Sequence, residues 1–212
     1  MGKNTAAHLT AFLTILIWGT TFIATKVLLR DFTPVEILFS RFTLGFLALS
    51  CVPGGIHFTT FRNELLFAGA GFSGVTLYFL FENIALQYTL VSNVGILVTV
   101  APFFTALLSR FFGKKEPLYP AFFIGFLLAL GGIALISFNG SVILKLNPAG
   151  DILAILAALV WAVYSIFMKR IGELGYPMIP ATRRVFFYGL LLMIPALFFM
   201  DFHPALRQML KP

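Results

Sequence analysis

The chain has 212 residues, of which 59% are apolar and 11% charged, and its mean hydropathy is +0.96. About a quarter of the residues in a soluble domain are charged, so this chain lacks a polar coat and its apolar surface is expected to face lipid. The net charge of +7 comes from cations scattered in ones and twos between apolar runs, which excludes a clustered nucleic-acid face and matches the anchors of an integral membrane protein.

In chain order, the apolar runs predict an all-α membrane protein with about seven transmembrane helices, near 6–29, 33–52, 64–88, 91–112, 118–138, 150–170 and 178–200. Each is long enough to cross a hydrocarbon core of about 30 Å at about 1.5 Å per residue. The first run, interrupted by His8 and Lys26, is too long for a cleavable signal and is read as a retained span. Breakers mark the connections: Pro34, Pro53-Gly54-Gly55, Gly113 to Pro117, and Asn147-Pro148. The third and fourth runs are joined by so short a link that they must be antiparallel neighbours. The runs are about twice the length of a barrel strand and do not alternate, which excludes a β-barrel.

Orientation follows the cations. With the N-terminus inside, the inner side collects Lys3, Arg62, Arg110, Lys114, Lys115, Lys169 and Arg170, against Lys26, Arg30, Lys145, Arg207 and Lys211 outside. This bias predicts a multi-pass protein of the cell inner (plasma) membrane with a cytoplasmic N-terminus.

The two tryptophans, Trp18 and Trp161, stand 143 positions apart. At the same offset Lys26 falls on Lys169, Pro34 on Pro177, Arg41 on Arg184 and Leu47 on Leu190. Five helices separate the copies, an odd number, so equivalent helices cross in opposite directions and define an inverted-topology repeat. The expected units are a five-helix repeat over 1–143 and two helices of a second over 144–212. A full second unit would end near residue 281, about three helices further on. The chain is therefore read as C-terminally truncated, or as completed by a homodimer or a partner chain.

Three stretches carry a resemblance to a family. They are "WGTTFIATK" in the first span, "TPVEILFSRFTLGFLAL" in the second, and "ENIALQYTLVSNVGILVTVAPFFTALLSRFFGKKEPL" across the third, fourth and following loop. Together they resemble the EamA-domain ten-helix exporters of the drug/metabolite transporter superfamily. The resemblance implies a secondary transporter that exports small metabolites, amino-acid-like or amphipathic, by alternating access. The chain departs from the family pattern in lacking the second closing signature, and "AVYS" follows Trp161 where "GTTF" follows Trp18.

Glu82 lies well inside a span, where a carboxylate costs on the order of 2.5–3.5 kcal/mol. It sits roughly 9 Å from the outer end of its helix and Arg41 roughly 10 Å from the same face, so the two are expected to form a buried ion pair. That pair can be a fixed tie between helices or, with protons as the coupling ion, a titrating site. Lys26 is expected to reach water by snorkelling. Trp18 and Trp161, mid-span and away from the aromatic belts, are expected to wall a cavity with Thr21, Tyr78, Glu82, Asn83, Asn93 and Tyr164. Asn83 and Asn93 can equally tie helices together. Pro102 should kink the fourth span and is a candidate gating point. Gly69, Gly71 and Gly74 form a small face for close helix contact, and the 26 phenylalanines are read as lipid-facing bulk.

Rival functions have weaker support. "GFSG" at Gly71 to Gly74 fits an intramembrane serine protease, but His8, His57 and His203 all lie at or beyond span ends and leave Ser73 without a base. A seven-helix photoreceptor needs a lysine in the seventh span, and 178–200 holds none. A non-transporting fragment or membrane scaffold is the remaining alternative. Cys and His are too few and scattered for a metal site, and no phosphate-binding loop is present. The expected partners are the lipid bilayer and a small-molecule substrate, with no cofactor and no enzyme chemistry.

Overall fold

The computed structural model describes residues 3–54, 58–112, 119–138, 147–200 and 202. Seven helical spans appear in the expected order: α1 (Lys3–Leu28), α2 (Pro34–Ser50), α3 (Phe61–Tyr88), α4 (Val91–Phe112), α5 (Pro120–Phe138), α6 (Pro148–Glu173) and α7 (Met178–Phe199). Among the described residues there are no strands. In α1, α3, α4, α6 and α7 the run is long and apolar enough to cross a membrane. α2 is shorter than its expected run, 17 residues or roughly 25 Å. Much of α1 is bare: Phe12, Ile15, Ile17 and Ile23 are all exposed, as lipid-facing side chains should be.

Local sequence explains the helix ends. At α2, Thr33 and Glu36 form a reciprocal capping box ahead of Pro34. At α6, Asn147 accepts from the Gly150 amide, Asp151 accepts from the Asn147 amide, and Pro148 occupies the first turn. Gly175 turns the chain between α6 and α7 at φ 74°. In α4 the helix is broken between Val98 and Ala101. Pro102 has no N–H to offer the Val98 carbonyl, and the chain tightens there into Thr99→Ile96 and Val100→Leu97 bonds. The break lies just upstream of the proline expected to kink this span.

One feature was not foreseen. The middle of α3, Gly71–Leu77, is a π-helix, and the Tyr78 amide reaches back five residues to the Ser73 carbonyl. Such wide turns are uncommon and concentrate at functional positions.

α3 is the central element, packed between α6 and α7, and α7 also lies along α2. One apolar cluster joins Leu38 and Phe42 of α2, Phe67 and Val75 of α3, Ile171 of α6, and Val185 and Met193 of α7. A second joins Ala85, Leu86, Val94 and Ala154. Phe42 and Phe67 are thus core residues, which corrects the reading of phenylalanine as lipid-facing bulk. The glycines of α3 allow the approach: Gly69 and Gly74 face Phe167 and Tyr164 of α6, and Gly71 faces the backbone of Val185 to Gly189 in α7.

Helix ends alternate between two ends of the bundle. At the first end, Lys26 of α1 meets the end of α3, and Thr89 hydrogen-bonds Asp151 at the start of α6. At the second, Arg183 of α7 binds the Val52 and Gly54 carbonyls after α2, and Arg170 of α6 binds the Phe112 carbonyl at the end of α4. α1 and α6 therefore run antiparallel.

Candidate functional site: an aromatic and charged cluster at mid-bundle

α1, α3 and α6 bring together most of the expected site. Trp18 and Trp161 meet edge-to-face with centroids 5.9 Å apart. Trp161 also packs on Tyr78 at 4.8 Å and on Tyr164 at 5.0 Å. Trp18 remains 53% exposed, so the aromatic group is closed toward α3 and open past α1. Thr21 turns its hydroxyl back to the Trp18 carbonyl of its own helix at 2.7 Å and spends its donor there.

One helical turn beyond Tyr78, on the same helix face, lies Glu82, 4% exposed. Arg41 of α2 attracts Glu82 electrostatically, but no nitrogen–oxygen distance between them falls within 4.0 Å. The expected contact ion pair is thus corrected to two charges held apart. The Arg41 guanidinium is seated instead over the Phe79 ring at 4.2 Å and near Phe42 at 5.3 Å, a favourable place for a cation. Its Nη2 is buried without a hydrogen-bond partner. Beside it, Asn83 is fully buried and donates to the Pro34 carbonyl at 3.1 Å, tying α3 to α2, while its Oδ1 has no partner. Arg41 Nη2 and Asn83 Oδ1 are the kind of unsatisfied buried groups that demand an explanation.

Lys26 behaves differently from expectation. It is half-buried, and its Nζ donates to the carbonyls of Leu86 and Thr89, the latter at 3.2 Å. These belong to the last turn of α3, whose carbonyls lack helical partners and carry partial negative charge. Lys26 caps α3 rather than snorkelling to water. Asn93 joins this end through Thr89 Oγ1 at 3.1 Å, away from the aromatic group. Lys26→Met keeps the stem and removes the cap. It should lower stability by about 1–2 kcal/mol, read as a fall in melting temperature of the purified protein.

A second charged cluster, which sequence reading did not find, occupies the opposite end of α3. Glu64 and Arg184 form a 3.4 Å ion pair. The only sequence signal for it is that Arg184 stands 143 positions after Arg41, the offset that also separates Trp18 from Trp161. Ser73, the rival nucleophile, is buried and donates to the Gly69 carbonyl at 2.6 Å. His8 is exposed, and His57 and His203 lie outside the described residues. Pro102 is exposed on α4, away from these clusters.

The fold is thus a multi-pass helical membrane protein with charged and aromatic side chains gathered around one central span. The EamA-like transporter family matches residues 5–138, and the chain belongs to that family. It is 30% identical to an uncharacterized transporter of Archaeoglobus fulgidus over 91% of this chain and 67% of the relative. It is 28% identical to the uncharacterized transporter YdfC of Bacillus subtilis, over 74% of this chain and 52% of that one. With YcxC of the same organism, also an uncharacterized transporter, identity is 25% over 81% and 56%. The chain spans little more than half the length of the two Bacillus relatives. No solved structure matches it.

Proposed function

We propose that the protein is a secondary transporter of the inner membrane that exports small metabolites by alternating access, with its N-terminus in the cytoplasm. The observation that carries this reading is the contact between Trp18 and Trp161 on antiparallel helices. A residue meets its own repeat counterpart only where the axis relating the two units passes between them. In inverted-repeat transporters the substrate site lies there, near the midplane. The family match over 5–138 coincides with the first proposed unit, and the relatives bear the name transporter.

In this reading Trp18, Trp161, Tyr78 and Tyr164 wall the passage with apolar faces. Thr21 and Asn83 border it, and Glu82 with Arg41 supplies the charge. A buried carboxylate beside a tyrosine and a separated arginine can take up a proton when the substrate leaves, which makes protons the natural coupling ion. Pro102 marks a flexing point in α4. Amino-acid-like and amphipathic compounds fit such a pocket.

The test is efflux from cells or proteoliposomes, screened over a panel of amino acids and amphipathic metabolites. A proton gradient should accelerate efflux of at least one class, and Trp161→Ala should remove that acceleration. Gradient-independent leakage unchanged by Trp161→Ala would refute the reading.

A further inference from the structure

The two carboxylates of α3, Glu64 and Glu82, lie 18 residues apart, or roughly 27 Å along a helix. Each faces an arginine, and the two arginines, Arg184 and Arg41, are repeat counterparts. The π-helical segment Gly71–Leu77 lies between the two carboxylates. The two clusters are in different states. At Glu64 the carboxylate is fully engaged: Arg184 Nη1 is 3.4 Å from Oε1 as an ion pair, the Thr59 amide donates at 2.8 Å and its hydroxyl at 3.1 Å, and the Tyr188 hydroxyl donates to Oε2 at 2.8 Å. Around them Tyr176 donates to Thr59 Oγ1 at 3.2 Å and accepts from Asn63 at 3.3 Å. The Arg184 guanidinium is also seated over Phe67 at 4.5 Å. At Glu82 the arginine makes no ion pair with the carboxylate and is seated over the Phe79 ring at 4.2 Å; each arginine keeps one buried nitrogen without a hydrogen-bond partner.

We propose that Glu64, Arg184 and Tyr188 form a latch that closes the end of the bundle where α2 ends and α7 begins, and that Arg41 and Glu82 are its counterpart at the other end, open in this conformation. The proposal rests on the alternating-access reading and adds its gating device. The π-segment is the coupling element. It is bound to α7 through Thr76 Oγ1 and the Gly189 carbonyl at 2.9 Å. Converting a π-turn to α-helix turns one half of α3 against the other, so the two carboxylates cannot both meet their arginines. An ion pair between helices holds them together, and losing one partner strands the other. A latch built this way has two discrete positions.

The test uses the full chain in membrane vesicles of known sidedness, with the exposed Cys51 replaced by serine and Ser73→Cys as reporter in the π-segment. A membrane-impermeant maleimide is applied from each face. With the latch intact, labelling is slow from the face where α7 begins and faster from the opposite face, where Arg41 and Glu82 stand open. Glu64→Gln and, more gently, Tyr188→Phe should raise labelling from the face where α7 begins by about tenfold, with Glu82→Gln leaving that face slow. The charge swap Glu64→Arg with Arg184→Glu should return labelling toward the slow rate. Labelling unchanged in both Glu64→Gln and Tyr188→Phe, or raised equally from the two faces, overturns the latch. No substrate is needed, so the outcome is independent of the efflux assay: a latch that obeys these rates with no efflux of any compound would sink the transport reading and leave the latch.

Discussion

Gly71→Ala is expected to be the most damaging single-methyl addition to the chain. A Cβ there would lie 2.6 Å from both the Gly189 nitrogen and the Val185 oxygen, and 3.0 Å from the Tyr188 carbonyl carbon. All three are backbone atoms of α7, which cannot rotate aside as a side chain can. α3 and α7 must therefore part along their whole contact, at about 3 kcal/mol or more by the usual cost of overpacking. The same methyl at Gly74 meets the Tyr164 ring at 2.2 Å, a side chain rather than backbone, so the cost there is expected to be smaller. At Gly95 it meets nothing within 4 Å, and Gly95→Ala should be neutral. Melting temperatures of the three purified variants check the order. A Gly71→Ala protein that melts with Gly95→Ala would mean that α3 and α7 do not approach as closely as described.

Glu82→Gln is expected to abolish gradient-driven transport while leaving the fold intact. Glutamine keeps the volume and shape of the side chain, so the packing around α3 survives. What disappears is the only charge on this side of the cluster that can bind and release a proton. Coupled efflux should fall by roughly a hundredfold, equivalent to about 2.7 kcal/mol, with the melting temperature close to that of the parent. Were Glu82 only a tie between helices, the signs would reverse: stability would fall and coupled efflux per folded molecule would persist. The double reversal Arg41→Glu with Glu82→Arg adds a check on the electrostatics. It should be better folded than either single reversal, because each single change leaves two like charges facing each other in a low-dielectric site.

Hydrophobic run length encodes span number and order, and so all seven helices were legible in the sequence, as was the break imposed by Pro102. The meeting of Trp18, Trp161, Tyr78 and Tyr164 was partly legible too, because two rare residues at a fixed offset report a shared environment. Rotation about each helix axis was not. Lys26 lies near a helix end, and depth alone cannot distinguish a side chain that escapes to water from one that reaches the bare carbonyls of Leu86 and Thr89. Arg41 and Glu82 were expected at matching depth, but the guanidinium is seated over the neighbouring Phe79 ring rather than on the carboxylate. Glu64 was passed over because it stands at the edge of an apolar run, where a carboxylate usually meets water; its burial depends on α7 and the chain before it, which are far away in sequence. The π-segment is likewise set by packing, since the glycines that permit it would suit an ordinary α-helix equally well.

The central claim is that α1 and α6 are inverted copies that meet across a shared passage. Its most direct measurement is membrane topology, by reporter fusions or impermeant labelling at four points in the chain. The account predicts that the N-terminus and the 174–177 turn share one face of the bilayer, with the 30–33 and 89–90 turns on the other. Finding the N-terminus and the 174–177 turn on opposite faces would make the two copies parallel, and the passage between them would have no basis.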